Sequence, residues 1–418
     1  MSDHMNCSFC NKNKTEVVKL IASPNNVFIC DECVALCHQV LLDSTKPSVD
    51  AKGIPSPRKI KEFLDNYVIG QDSAKSVLAV AVYNHYKRLA NPAVGYGADD
   101  VELDKSNILM LGPTGCGKTL LAQSIARLLD VPFAIADATS LTEAGYVGDD
   151  VESVVTRLLQ AADQDVSKAE RGIIYIDEID KKRAKESGGS SKDVSGEGVQ
   201  QALLKIIEGS EVFVSTQGGR KNPNKEMVKV NTKNILFIVG GAFVGLEKVI
   251  KADLDKDAAG IGFGAANIGK NERTLSELIS KVEPDHFMKF GIIPELIGRL
   301  PVMAALDELK EDELVRVLSE PKNAVTKQFQ KLFRLDEVEL VFEEAALHEI
   351  AKLAISRKTG ARGLRGVIET KLNKVQFNLP ELHENGVEKV VVTAACITDD
   401  AEPTLIYKEQ ECGVTPSE

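Results

Sequence analysis

The stretch NILMLGPTGCGKTLLAQSIARLL at residues 107–129 passes without a break from an apolar strand through a glycine-rich turn into a helix. Its centre, Gly112, Pro113, Thr114, Gly115, Cys116, Gly117, Lys118 and Thr119, fits the pattern GxxxxGK[ST] in the strand-to-helix setting which that pattern requires. Glycines let consecutive backbone N–H groups curl around phosphate oxygens, and the helix N-terminus favours their negative charge. Lys118 is placed to reach the β and γ phosphates of ATP, and Thr119 to ligate Mg²⁺. Past Lys118, the residues Leu121, Ile125, Leu128 and Leu129 recur at the spacing of one buried helix face.

Downstream, GIIYIDEID at 172–180 ends a second apolar run in acids. This puts Asp177 in the Mg²⁺ shell and makes Glu178 the group that orients and polarises the attacking water. A third run, NILFIV at 234–239, continues a pattern of apolar strands alternating with helical stretches such as 118–129 and 197–208. That alternation predicts an α/β unit over residues 59–306, a parallel sheet flanked by helices. Residues 307–405 carry helical patterns and one short strand at VEKVVVT, so they read as a smaller, mainly helical domain, with 406–418 as a tail. Stretches rich in Gly and Ser at 185–198, and in Gly at 258–270, read as mobile loops.

Upstream, Cys7 and Cys10 with Cys30 and Cys33 give the spacing CxxC-x19-CxxC, which converges four thiolates on Zn²⁺. The ion would fold a unit of residues 1–45 that lacks an adequate core, and a closed four-sulfur site leaves no position for a reactive water. Cys37 and His38 lie just beyond, with Cys37 read as a buried helical residue. Residues 46–58, rich in proline and small polar side chains, read as a tether. A chain of 418 residues exceeds what one hydrophobic core usually supports. Its charge, 51 − 62 = −11, opposes a large phosphate-binding surface, so no direct nucleic-acid partner is expected. No apolar run approaches the roughly 18 residues that span a bilayer and no signal pattern opens the chain, so the expectation is a cytoplasmic protein with no membrane partner.

Beyond these readings, DNYVIGQ at 65–71, GPTGCGKT, IIYIDEID, PELIGRLP at 294–301 and KTGARGLR at 358–365 together resemble the ClpX family of AAA+ proteins over nearly the whole chain. The resemblance implies an ATP-dependent unfoldase, working as a homo-hexamer, that threads tagged, adaptor-delivered or unfolded proteins into a ClpP-type peptidase. It sets Tyr67, Val68 and Ile69 beside the adenine. It makes Arg299 an arginine finger that reaches into the neighbouring subunit, and Arg362 the sensor of nucleotide state in the small domain. Many AAA+ proteins end the third strand in a polar sensor, but FIVGGAF offers Gly240 and Gly241, so no residue is assigned that role.

Three loops complete the resemblance. Tyr146 and Val147, between glycines, would grip a threaded chain. Arg220 and Lys221 would line the entrance, with Asn222 where the family usually has His. Ile261, Gly262 and Phe263, apolar in a glycine-rich stretch, would plug into the peptidase. Cys116 replaces a usual Ser and reads as filling a small-residue position, with a thiol of lowered pKa at the helix N-terminus, hence oxidation sensitivity, as the alternative. A nucleic-acid motor with a zinc ribbon is the rival reading, opposed by the acidic charge and the aromatic-aliphatic loop. A non-hydrolysing nucleotide switch is opposed by intact Lys118, Asp177, Glu178 and Arg299.

Overall fold

In the computed structural model of the chain, the described residues are 6–14, 16–23, 27–37, 53–91, 103–143, 148–183, 196–215, 227–259, 282–399 and 401–408. They divide into two compact units, Met1–Gly53 with Leu89–Pro92, and Ile54–Arg88 with Ala93–Glu418. In the smaller unit, Leu20–Ala22 and Phe28–Cys30 pair as an antiparallel hairpin and a helix begins at residue 31.

The apolar runs of the larger unit become five strands: β1 (Ile108–Leu111), β2 (Phe133–Asp137), β3 (Ile173–Asp177), β4 (Leu236–Gly241) and β5 (Val302–Ala305). They form one all-parallel sheet in the order β5-β1-β4-β3-β2. Every residue of β1 and β4 is buried. Strands covered by helices on both faces have no polar side to present, which is why these segments read as unbroken apolar runs. β2, at an edge, alternates buried and exposed residues instead. β1 lies between strands that come late in the chain, so its C-terminal end sits where the strand order reverses, the usual place for a ligand crevice in such sheets.

The helix Lys118–Leu129 lays Leu121, Ala122, Ile125 and Ala126 on the sheet, while Leu128 and Leu129 are only partly covered. Asp130, left-handed at φ 51°, ends it by donating its N–H to the Ala126 carbonyl. After β5 a second core forms from Leu314, Leu318, Phe329, Phe333, Ile350 and Leu364 on the helices that follow. These helices pack with a sheet of three strands, Glu339–Phe342, Val387–Val392 and Thr404–Tyr407, where one strand was expected. The first pair is parallel and the second antiparallel.

The passage between the two cores is held against the phosphate loop. Leu306 N–H donates to Leu111 O (2.7 Å), continuing the β5–β1 ladder past its end. Gln71 closes a reciprocal pair with the next residue, donating to Asp307 O at 2.8 Å and accepting from Asp307 N at 3.0 Å. No helix among the described residues is long and apolar enough to cross a membrane.

Candidate active site and metal centre

The phosphate loop leaves β1 through positive-φ glycines, Gly112 (156°), Gly115 (81°) and Gly117 (103°), conformations that side chains with a Cβ resist. Lys118 is almost fully buried and its ammonium donates to Gly112 O (2.5 Å) and Pro113 O (2.9 Å), so it lies across the mouth of the loop. Thr119 Oγ1 donates to Asp177 Oδ2 at 3.3 Å. Two ligands at right angles on an octahedral Mg²⁺ stand about 3 Å apart, so this pair fits the ion. Glu178, left-handed at φ 57°, turns the chain out of β3 into the short helix Ile179–Lys182. There the buried Asp180 accepts from Ala242 N (3.1 Å) and ties the ends of β3 and β4 together.

Between these groups lies a cleft of about 350 Å³, walled by Thr114, Gly115, Gly117, Lys118, Thr119, Asp177, Glu178 and, from the second core, Ala361 and Arg362. The loop glycines, the Lys118 ammonium, the Thr119 hydroxyl, the Asp177 and Glu178 carboxylates and the Arg362 guanidinium thus face one space. That is the donor set of phosphoanhydride hydrolysis.

Tyr175 is a member of this site that sequence reasoning passed over. Buried in β3, it donates its hydroxyl to Asp177 Oδ1 at 3.1 Å, the same oxygen that accepts from Glu178 N at 2.9 Å. The ring lies against β4, where a Cβ on Gly240 would come within 2.3 Å of the hydroxyl. A single polar aromatic in an aliphatic strand, with a glycine at the end of another apolar run, was the available signal. Gly240 makes room for the Tyr175 hydroxyl, whereas a Cβ on Gly241 would meet Phe243 and Asp180 instead.

The other expected residues fall into distinct places. Val68 is buried, and its Cγ1 would be 3.6 Å from a Cβ on Gly117, so this residue abuts the phosphate loop. Tyr67 packs against Phe63 with ring centroids 5.0 Å apart and lies under Arg127 at 5.4 Å, and neither it nor the buried Ile69 lines the cleft. Arg299 is absent from its own protomer's cleft. Its carbonyl accepts from Asn107 Nδ2 at 3.1 Å, at the opposite end of β1 from Gly112. Its side chain, 58% exposed, pairs with Glu208 at 2.7 Å.

Cys116 is 3% exposed, and burial pushes its thiol above the ordinary range despite the nearby Lys118 ammonium. Desolvation outweighs the helix-end field, so the alternative of a lowered pKa fails. Tyr146, Val147, Arg220, Lys221, Asn222, Ile261, Gly262, Phe263 and His38 lie outside the described residues.

In the smaller unit Cys7, Cys10, Cys30 and Cys33 bring their sulfurs within 4.8 Å of one another, with Cys10 and Cys30 at 3.6 Å. Sulfurs about 2.3 Å from a tetrahedral Zn²⁺ stand about 3.8 Å apart, so the cluster fits that ion. The Cys30 N–H points to Cys7 Sγ at 3.3 Å and the Cys33 N–H to Cys30 Sγ at 3.4 Å, backbone donors of the kind that steady thiolate ligands. Cys37 is half-buried and stands apart from the cluster.

Known proteins match in the same three pieces. Residues 5–43 match the family described as the ClpX C4-type zinc finger, and 103–303 the AAA domain (Cdc48 subfamily). Residues 309–383 match the C-terminal, D2-small domain of ClpB protein. Over 379 residues, 90% of each chain, the sequence is 53% identical to a protein of Treponema denticola, the ATP-dependent Clp protease ATP-binding subunit ClpX.

Proposed function

The chain belongs to the ClpX family of AAA+ proteins, and we propose that its ATP hydrolysis is completed between subunits of a ring and drives a polypeptide through the centre. It is an ATP-hydrolysing unfoldase and not itself a peptidase. Bound ATP·Mg²⁺ supplies the phosphoanhydride whose hydrolysis powers the motor. In our reading Gly112 to Thr119 hold the phosphates, Thr119 and Asp177 hold the cation, and Glu178 orients the water. Arg362 couples the γ-phosphate to the small domain. Zn²⁺, on Cys7, Cys10, Cys30 and Cys33, fixes a small docking module that takes no part in the chemistry.

One observation carries this reading. Arg362 reaches its own protomer's cleft, while Arg299 sits at the far end of β1, roughly 16 Å of strand away from Gly112 by strand rise. An arginine that cannot serve its own nucleotide, yet is more than half exposed, is placed to serve a neighbour's. We assign the assembly as a homo-hexamer in the cytoplasm that receives tagged, adaptor-delivered or unfolded proteins and passes them to a ClpP-type peptidase. Tyr146 and Val147 grip, Arg220 and Lys221 receive, and Ile261, Gly262 and Phe263 dock the peptidase. Degradation of a tagged, stable protein by the chain with ClpP and ATP tests the whole reading. It should stop when ATP, ClpP or the Arg299 guanidinium is withdrawn, and degradation by Arg299→Ala rings at the normal rate would overturn it.

A further inference from the structure

Asn107 stands at the foot of β1, and Gly112 at its head. The side chain is 2% exposed and both of its polar atoms are engaged. Oδ1 accepts from Phe237 N in β4 at 3.3 Å, while Nδ2 donates to Arg299 O at 3.1 Å and to Ile207 O at 3.4 Å. The Asn107 carbonyl also accepts from Val302 N at 3.4 Å, so the segment that carries Arg299 into β5 is tied to this residue twice.

The second acceptor matters as much as the first. The Ile207 carbonyl belongs to the peptide bond that leads into Glu208, and Glu208 Oε1 accepts from Arg299 Nε. One buried amide therefore braces both members of the Arg299–Glu208 pair through their backbones. Lys105 adds to the brace, donating to Ile207 O and to Thr232 O, both at 3.1 Å. An exposed ion pair alone is weak and would leave the arginine free to swing. A buried amide with three partners fixes the backbone from which the guanidinium projects.

We propose that Asn107 is the positioning residue for Arg299, fastening the backbone of the arginine finger to the strand whose other end forms the phosphate loop. The proposal rests on the reading of Arg299 as the group that completes a neighbour's site. It adds a mechanical consequence: β1, buried and paired on both sides, carries displacement of a protomer's own phosphate loop to the finger offered to the next subunit.

Mixed rings test this in the full-length chain. Asn107→Ala subunits keep an intact cradle but offer a misplaced finger, and Glu178→Gln subunits offer a sound finger from an inactive cradle. Alone, Asn107→Ala should lose about tenfold or more in kcat, since misplacement by an ångström can cost about a hundredfold. ADP affinity should be unchanged. Mixed with Glu178→Gln, turnover per Asn107→Ala subunit should rise severalfold. The same mix made with Arg299→Ala separates the two readings. A gain for Arg299→Ala but none for Asn107→Ala overturns the positioning role alone, whereas no gain for either removes the finger and the proposal with it. Weakened ADP binding by Asn107→Ala would place the damage in its own cradle and also overturn the proposal. Should Asn107→Ala fail to fold, Glu208→Gln on the protein surface decides: a lowered kcat restored by mixing supports the brace, and unchanged turnover overturns it.

Discussion

Gly115 of the phosphate loop and Gly360 at the head of the helix Ala361–Phe377 meet backbone to backbone. A Cβ on Gly115 would lie 2.7 Å from Thr359 O, and one on Gly360 would lie 3.1 Å from Thr114 O. Gly360 also has φ 55° and ψ −149°, a region held almost entirely by glycine, where a side chain costs about 1–3 kcal/mol. The small domain can therefore rest directly on the loop that holds the phosphates, which gives Arg362, two residues further on, its reach into the cleft. Gly360→Ala should lift this contact. The expected result is nucleotide binding weakened about tenfold, matching roughly 1.4 kcal/mol, with the small domain still folded. Isothermal titration with a non-hydrolysable ATP analogue measures it, and unchanged affinity would show that the contact does not support the site.

Tyr175→Phe removes one hydrogen bond from Asp177 without opening a cavity. A hydrogen bond to a charged group contributes about 1.5–3 kcal/mol, and Thr119 and the Glu178 amide still hold the carboxylate. The variant should fold normally, require more Mg²⁺ for half-maximal ATPase and lose about tenfold in kcat. Titrating Mg²⁺ against turnover checks it, and a wild-type Mg²⁺ curve would exclude the positioning role.

How much of this was legible in the sequence followed from how local each feature is. The phosphate loop, the acids ending β3 and the paired CxxC knuckles are written in consecutive residues, and parallel strands buried on both faces leave long apolar runs. Gly115 facing Gly360 arises only when distant segments meet, and residue spacing carries no trace of that, while Tyr175 and Gly240 leave only a compositional signal, because which strands pair is not written in either run. The small domain's outer strands escaped for a related reason. Glu339–Phe342 and Thr404–Tyr407 are four residues each and half exposed, and they become strands because Val387–Val392 offers each a ladder. For Cys116 the sequence left a lowered-pKa reading open beside the small-residue one, because a helix-end field can be read from position, whereas burial cannot.

Zinc removal should act on one unit only. Apparent binding energies of about 10–16 kcal/mol exceed what the few apolar side chains packed on Cys7, Cys30 and Cys33 provide. A zinc-selective chelator with Mg²⁺ kept in excess, or Cys30→Ser, should expose residues 6–37 to protease while ATPase turnover of the separate larger unit persists. Parallel loss of ATPase on chelation would make the ion a structural part of the motor as well.

His85 gives the larger unit a defined sensitivity to acid. Its Nε2 lies 3.1 Å from Asn234 O, which can only accept, so the ring carries its proton there and leaves Nδ1 without a partner. Burial, then the charges of Arg88 and Lys105, lower its pKa to about 3. In the unfolded chain the ring takes up a proton near pH 6.5, whereas in the folded chain it does so only near pH 3, so acid draws the protein towards the unfolded state. Stability from this residue is complete above pH 6.5 and falls by about 1.4 kcal/mol per pH unit below it, roughly 2 kcal/mol by pH 5. His85→Gln keeps a donor for Asn234 O and removes the titration, so its unfolding free energy should fall less between pH 7 and pH 5 by that amount. Denaturant melts of both proteins across this range measure the difference, and parallel pH profiles would mean that His85 is protonated in the folded state.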